Sequence, residues 1–252
     1  MNGLRGRRAL ITGGTRGIGG AVAELLAEQG THVMLGYRAR HADAEALTAR
    51  ITRDHGVTAA AHASDISTVE GAEELVTRAV AALGGLDFFV ASAGIWPPDD
   101  TPLTEMTDAH WRRTMAENVD AMFYTTRAAL RAMGAGGRVV LVSSTAGQRG
   151  EANHADYAAS KGATISFTKS LATEVGSRGI TVNSVAPGWV DTEMCEKPMA
   201  DGGRERIAAS IPVGRVATAR DIAGPIVFLC SDLARHVNGE ILNVNGGSVL
   251  CG

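Results

Sequence analysis

The sequence is poor in cysteine, in lysine and in long apolar runs, and each shortage narrows what the chain can be. Three cysteines, Cys195, Cys230 and Cys251, are spread over 252 residues. They form no C-x-x-C pair and leave an odd count, which fits a reducing cytosol better than secretion. No His/Cys/Asp cluster has ligand spacing, so no metal site is expected. No stretch approaches the roughly 20 apolar residues that cross a bilayer. Ala9-Leu10-Ile11, behind the short basic N-terminus, is too brief for a signal-peptide core. The formal charge is −3, so there is no global basic field for nucleic acid. These absences predict a cytoplasmic protein with neither nucleic-acid nor membrane partners. Lysine occurs only as Lys161, Lys169 and Lys197. The remaining basic charge is arginine, and each lysine becomes a candidate for a specific task.

Linkers, repeats and low-complexity tracts are also missing. The apolar fraction of 45% and charged fraction of 20% are ordinary for a globular chain. A chain of this length buries roughly three quarters of the surface its unfolded form exposes. We therefore read residues 1–252 as one domain. Short apolar runs, rich in β-branched residues, alternate with amphipathic stretches. The runs are Arg8–Thr12, His32–Gly36, Thr58–Ala63, Leu86–Ser92, Arg138–Ser143, Ile180–Ala186 and Glu240–Val244. Their length suits buried parallel strands. Helical periodicity covers Gly19–Gln29, Ala42–Arg53, Val69–Leu83, Trp111–Met133 and Tyr157–Gly176. This alternation predicts an α/β domain: a doubly wound parallel sheet of about seven strands with helices on both faces. Ligands of such sheets lie beyond the carboxyl ends of the strands.

The segment after the first strand reads Thr12-Gly13-Gly14-Thr15-Arg16-Gly17-Ile18-Gly19. Gly13 suits a tight turn, Gly17 a close backbone approach to pyrophosphate, and Gly19 close helix–strand packing. The helix start offers free N–H groups and a positive dipole end. A glycine turn without ligand would look the same in isolation. The second strand ends Leu35-Gly36-Tyr37-Arg38, with no carboxylate for a ribose 2′-hydroxyl. Arg16 and Arg38 converging on one spot would suit a 2′-phosphate, so NADP(H) is expected over NAD(H). Solvated surface arginines are the alternative. Asp65-Ile66 follows the third strand. Asp65 fits either an adenine amino group or the cap of the helix beginning near Val69.

Tyr157-Ala158-Ala159-Ser160-Lys161 opens a long helix. A spacing of four puts Tyr157 and Lys161 on one face, one turn apart. An ammonium and an oxidised nicotinamide ring would favour the phenolate and lower the tyrosine pKa. That is the tuning acid/base work near neutrality requires. A surface pair would also fit the spacing. Ser144 ends the fifth strand, thirteen positions before Tyr157, and its hydroxyl could donate to a carbonyl oxygen gaining charge. Asn118 lies inside a helix, where an amide is mildly unfavourable, so a polar task or a simple interelement hydrogen bond is expected.

Together, Thr12-Gly13-x-x-x-Gly17-x-Gly19, Asn118, Ser144, Tyr157 and Lys161 resemble the short-chain dehydrogenase/reductase family. Ala186-Pro187-Gly188 and Asn243-Val244-Asn245-Gly246-Gly247 extend the resemblance over essentially the whole chain. The chain is most similar to the 3-oxoacyl-[acyl-carrier-protein] reductase branch, through Ser166–Ala172 and Gly179–Asn183. The resemblance implies a single-domain Rossmann fold and an oxidoreductase interconverting a small-molecule carbonyl and alcohol. Tyr157 would exchange the proton. Lys161 would bind the nicotinamide ribose, Ser144 would orient the carbonyl, and Asn118 would hold a relay water. Gly13, Thr15, Arg16, Gly17, Ile18, Gly19, Arg38, Asp65, Ile66, Ala93 and Gly94 would form the adenosine and phosphate side. Pro187, Gly188, Val190 and Thr192 would approach the nicotinamide, Thr192 bonding its carboxamide. A homotetramer using the two longest helices and the last strand is also implied.

The chain departs from the family in two places. Ala91-Ser92-Ala93-Gly94 stands where two asparagines usually precede Ala-Gly, and weaker bracing of the strands is expected. Gly134-Ala135-Gly136-Gly137 stands where carrier-protein reductases tend to be basic, leaving Arg131, Arg138 and Arg178 to meet an acidic carrier. In the loop before Tyr157, Arg149 or His154 would contact a polar substrate or simply face solvent. The stretch at about 190–212 suits a mobile lid over substrate, with Cys195 packing rather than acting as a nucleophile. A non-catalytic NADP(H) sensor on the same fold, or a structural protein, is the alternative. Retention of all four residues Asn118, Ser144, Tyr157 and Lys161 favours the enzyme.

Overall fold

Strand and helix alternate from the start of the chain, as the periodicity predicts. β1 (Arg8–Thr12) leads into α1 (Gly17–Glu28), and β2 (His32–Tyr37) into α2 (His41–His55). β3 (Ala59–Ala63) precedes α3 (Val69–Leu83); β4 (Phe88–Ala91) precedes α4 (Asp108–Met115) and α5 (Ala121–Ala132). β5 (Arg138–Val142) is followed by a short α6 (Thr145–Arg149) and a long α7 (Ala155–Val175). β6 (Thr181–Pro187), β7 (Val190–Asp191), α8 (Glu196–Met199), α9 (Gly203–Ser210), β8 (Ala217–Thr218), α10 (Ala219–Cys230) and β9 (Ile241–Val244) complete it. The computed structural model describes residues 1–250. Cys251 lies outside the described residues.

Among the described residues, seven strands form one parallel sheet in the order β3-β2-β1-β4-β5-β6-β9. β7 and β8 pair separately. The winding direction reverses between β1 and β4, which opens a crevice at their carboxyl ends. Thr12, the last residue of β1, is in register with both Gly36 and Ala91. Its Oγ1 accepts from the Ser92 and Ala93 amides at 3.2 Å each. Thr12 thus braces the β4 end where Ala91 has no side-chain donor.

Both faces of the sheet are buried, so adjacent residues of one strand serve different cores. Ala9, Ile11, Phe88, Val90, Val140 and Val142 pack with α1 and α10, on Val22, Leu26, Ile222 and Ile226. Leu10, Phe89, Val139 and Leu141 face α3, α5 and α7, on Leu75, Ala129, Leu171 and Val175. Each fully buried Leu, Ile, Val or Phe is worth roughly 1.5–3 kcal/mol relative to exposure. These two cores hold the strand ends, and with them the crevice, in place. Leu242 and Val244, expected at a subunit interface, are partly buried against the first core.

Two expectations of local structure change. α3 is capped by Thr68, whose Oγ1 accepts from the Gly71 amide at 3.1 Å. Asp65 instead accepts from the Ser67 amide at 3.1 Å and the Ser67 hydroxyl at 2.6 Å, so it is not the cap. The helix expected to run unbroken over 111–133 starts at Asp108 and is interrupted by a π turn at Ala116–Asp120. A π turn inserts one extra residue into the ladder and commonly marks a functional site. Asn118 sits in it.

Candidate active site

The crevice is a cleft of about 1100 Å³ beyond the ends of β1, β2 and β4. One wall is the glycine turn, from Gly13 through Thr15, Arg16, Gly17 and Ile18 to Gly19. Gly13 has φ 63, and a Cβ there would stand 3.0 Å from the Ala93 Cα. Backbone in that region favours glycine. A Cβ on Gly19 would lie 2.2 Å from the Gly13 carbonyl oxygen, so α1 can pack this closely only without a side chain. Arg16 occupies the cap position of α1 without capping it. The first-turn N–H groups therefore lack a side-chain acceptor, which suits a bound phosphate.

The other wall brings Arg38, Asp65, Ile66, Ala93 and Gly94 to the same cleft, and Thr192 closes it from the far side. A Cβ on Gly17 would stand 3.5 Å from Thr192 Cγ2, so Thr192 lies over the turn. Pro187, Gly188 and Val190 do not line this cleft. Pro187 and Val190 are buried, and Gly188 backs onto Asn245. The expected convergence of Arg16 and Arg38 is not seen. Arg38 pairs with Glu117, whereas Arg16 and Arg40 share Glu193.

Asn118, Ser144, Tyr157 and Lys161 do not themselves line this cleft, but Gly94, which does, adjoins two of them. A Cβ there would lie 3.1 Å from Asn118 Oδ1 and 3.5 Å from Lys161 Nζ. Tyr157 and Lys161 both project from the first turns of α7. The Lys161 ammonium stands 5.7 Å from the centre of the Tyr157 ring. Lys161 is only 8% exposed, and its Nζ donates to the Val142 carbonyl at 2.9 Å. An ammonium has three N–H donors. Among the described residues one acceptor is found, which leaves donors for a ligand hydroxyl. Burial pushes the Lys161 pKa down to about 8. α7 is anchored beneath this pair. Ser143 Oγ donates to the Lys161 carbonyl at 2.8 Å, and buried Asp156 accepts from Thr114 Oγ1 at 2.5 Å and lies 3.1 Å from His110 Nε2.

The Tyr157 phenol differs from expectation. Burial pushes its pKa up, the Ser144 hydroxyl pulls it down, and the charges of Glu151 and Cys195 push it up again. Lys161 alone therefore does not hold it low. Ser144 Oγ also caps α6, accepting from the Ala146 amide at 3.1 Å. Both polar atoms of the Asn118 side chain are engaged. Its Oδ1 accepts from the Ile95 amide at 2.7 Å, and its Nδ2 donates to the Ile95 carbonyl at 2.9 Å and to Ser160 Oγ at 3.0 Å.

The loop before Tyr157 packs on two tryptophans that the sequence does not single out. Trp96 stacks on His154 at 4.8 Å and meets Trp189 edge-on at 6.1 Å. His154 is buried with both ring nitrogens against the Pro97 and Ala152 carbonyls. It presents its ring to Trp96 and no free nitrogen to a substrate, while Arg149 is exposed. Glu151 is partly buried, and burial pushes its carboxyl pKa up. Burial also pushes the Cys195 thiol up, which fits packing better than nucleophilic attack.

A family model described as enoyl-(acyl carrier protein) reductase matches residues 13–248. The 3-oxoacyl-[acyl-carrier-protein] reductase of Vibrio cholerae is 40% identical over 246 residues, covering 97% of this chain and 98% of that protein. The cis-4-hydroxycyclohexanecarboxylate dehydrogenase of Sinomonas cyclohexanicum is 41% identical over 243 residues, 96% of each chain. A short-chain dehydrogenase of Burkholderia cenocepacia, solved in complex with NADP, superposes with a TM-score of 0.90 at 36% identity, covering 98% of this chain and 99% of that one. Likeness of this extent, over a sheet of this order with a glycine turn at its switch point, makes the chain a member of the short-chain dehydrogenase/reductase family and an oxidoreductase.

Proposed function

We propose that the protein interconverts a carbonyl and an alcohol with NADP(H), using Tyr157 as the acid/base. The observation that carries this is the Tyr157–Lys161 pair, with spare donors on a buried ammonium that adjoins the cleft at Gly94. The cleft fits a dinucleotide: glycines allow close approach, α1 begins uncapped, and arginines stand at the mouth. The cofactor supplies or accepts the hydride and, when oxidised, adds a positive ring beside Tyr157. The adenosine and phosphate side is held by the turn from Gly13 to Gly19, with Arg38, Asp65, Ile66, Ala93 and Gly94. Thr192 and Val190 serve the nicotinamide side, backed by Pro187 and Gly188.

Tyr157 Oη gives a proton to the substrate oxygen in reduction and takes it back in oxidation. Ser144 donates a hydrogen bond to the same oxygen as charge develops on it. Lys161 holds ribose hydroxyls with its spare donors and adds positive charge near the phenol. Because the Asn118 side chain is committed, a relay water would rest on its main-chain carbonyl, in a turn whose ladder is out of α-helical register. The segment 190–212 is the substrate lid.

3-Oxoacyl thioesters are the first substrates to test, since the Vibrio cholerae relative carries that name. An acidic carrier would find few free cations, because Arg178 donates to the Leu130 and Met133 carbonyls and Arg138 to those of Gly136 and Gly137. The aromatic wall of Trp96 and Trp189 supports including cyclic ketones and alcohols. Exposed Trp111 and Phe123, with Phe167 edge-on to Phe123 at 6.4 Å, support homotetramer contacts through α4, α5 and α7. The test is a panel of acyl thioesters, ketones and alcohols with NADPH or NADP⁺. Turnover of at least one member is expected. Tight NADPH binding with no turnover of any would overturn the reading.

A further inference from the structure

At the mouth of the cleft one carboxylate stands between two guanidiniums. Glu193 Oε1 and Oε2 accept from Arg40 Nη1 and Nη2 at 3.0 and 2.6 Å. Oε2 also accepts from Arg16 Nη1. The three residues come from separate elements. Arg16 precedes α1, Arg40 precedes α2, and Glu193 opens a 3-10 turn at Glu193–Cys195 that leads into α8. Asp43 adds a looser contact to Arg40 at 3.5 Å. Arg38 is not a member, being paired with Glu117.

The Arg40 backbone is left-handed, at φ 65 and ψ 58. Such a conformation is unfavourable for a non-glycine residue and is seldom adopted without a reason. Here it accompanies a side chain that reaches across the cleft to the partner of Arg16. A forked guanidinium engaging both oxygens of a carboxylate can engage a phosphate in the same way. The three side chains are each about half exposed, at 53%, 49% and 43% for Arg16, Arg40 and Glu193. Exposed ion pairs of this kind are weak, so the partners are readily exchanged.

We propose that Arg40, together with Arg16, binds the cofactor 2′-phosphate, and that Glu193 competes with that phosphate for both guanidiniums. The proposal rests on the NADP(H) reading above. Glu193 is then a specificity-determining residue that opposes the phosphorylated cofactor and is indifferent to the unphosphorylated one. Because Glu193 opens the turn leading into α8, capture of the arginines by phosphate also releases the start of that segment. NAD(H) leaves the carboxylate where it is.

The experiment measures NADPH and NADH dissociation constants for the wild type, Glu193→Gln, Arg40→Gln and Arg38→Gln. Glu193→Gln is expected to tighten NADPH by about two- to fivefold, the equivalent of one exposed ion pair, with NADH unchanged. Arg40→Gln is expected to weaken NADPH about tenfold, as loss of a charge-assisted hydrogen bond does, again sparing NADH. Amide hydrogen exchange across 193–196 in the wild type should be faster with NADP⁺ bound than with NAD⁺. A Glu193→Gln protein that binds NADPH more weakly, or both cofactors equally altered, would overturn the proposal, since Glu193 would then clasp any bound dinucleotide. An NADPH affinity lost through Arg38→Gln but untouched by Arg40→Gln would also overturn it. Failure of the wild type to bind either dinucleotide would instead reject the cofactor reading itself.

Discussion

Tyr157 and Lys161 lie one helical turn apart on α7, with the Lys161 ammonium 5.7 Å from the Tyr157 ring centre and bonded to the Val142 carbonyl. The ammonium thus sits beside the phenol without touching its oxygen. Burial raises the phenol and lowers the lysine, so both groups resist their charged forms. The pair is poised for a ligand that brings hydroxyl acceptors and positive charge.

Lys161 is therefore a stability cost carried for function. Its folded pKa of about 8 lies below the ordinary 10.5. Below about pH 8 lysine is charged in folded and unfolded chains alike, and the fold carries the full burial penalty. Between about 8 and 10.5 the unfolded chain binds more protons, so this penalty fades as pH rises. Lys161→Met should raise the melting temperature of the cofactor-free protein by roughly a few degrees at pH 7. The gain should shrink through that alkaline window, and turnover should fall at least about a hundredfold. Thermal scans across pH check it; a destabilised variant would contradict it.

Glu151 places negative charge near Tyr157 and pushes its pKa up. Glu151→Gln should move the rise of alcohol oxidation with pH to lower pH. The pH profile of kcat/KM with a fixed substrate measures this. An unmoved or alkaline-shifted profile would show that Glu151 does not act on the phenol.

Asp156 ties α7 to α4 through Thr114 and His110 while only 1% exposed. Asp156→Ala leaves buried partners unmatched, and should lower unfolding stability by about 3 kcal/mol or more. Urea denaturation checks this, and a loss below about 1 kcal/mol would place the anchoring of α7 elsewhere.

Much of this was legible in the sequence because it depends on local pattern. β1 and α3 have the bounds that periodicity predicts, and the glycine turn lies where the first strand ends. Tyr157 and Lys161 stand one turn apart on α7 as their spacing predicts, with Ser144 against the phenol and Asn118 across Gly94 from Lys161. What was missed depends on long-range geometry. The π turn shifts the apolar stripe by a single residue within a long helical stretch, and the overall periodicity masks so small a change. Glu151 and His154 looked like loop polarity, yet tertiary packing buries them. Arg38-x-Arg40 did display a second arginine, but its reach to Glu193 follows from a left-handed residue that sequence does not specify.

In the proposed reaction the Tyr157 hydroxyl carries the transferred proton. Tyr157→Phe removes one oxygen from a site whose fold and phosphate turn do not depend on it. With a substrate found in the panel, the account predicts NADPH affinity close to that of the wild type and turnover lower by at least roughly a hundredfold. Turnover close to that of the wild type in this variant would contradict it.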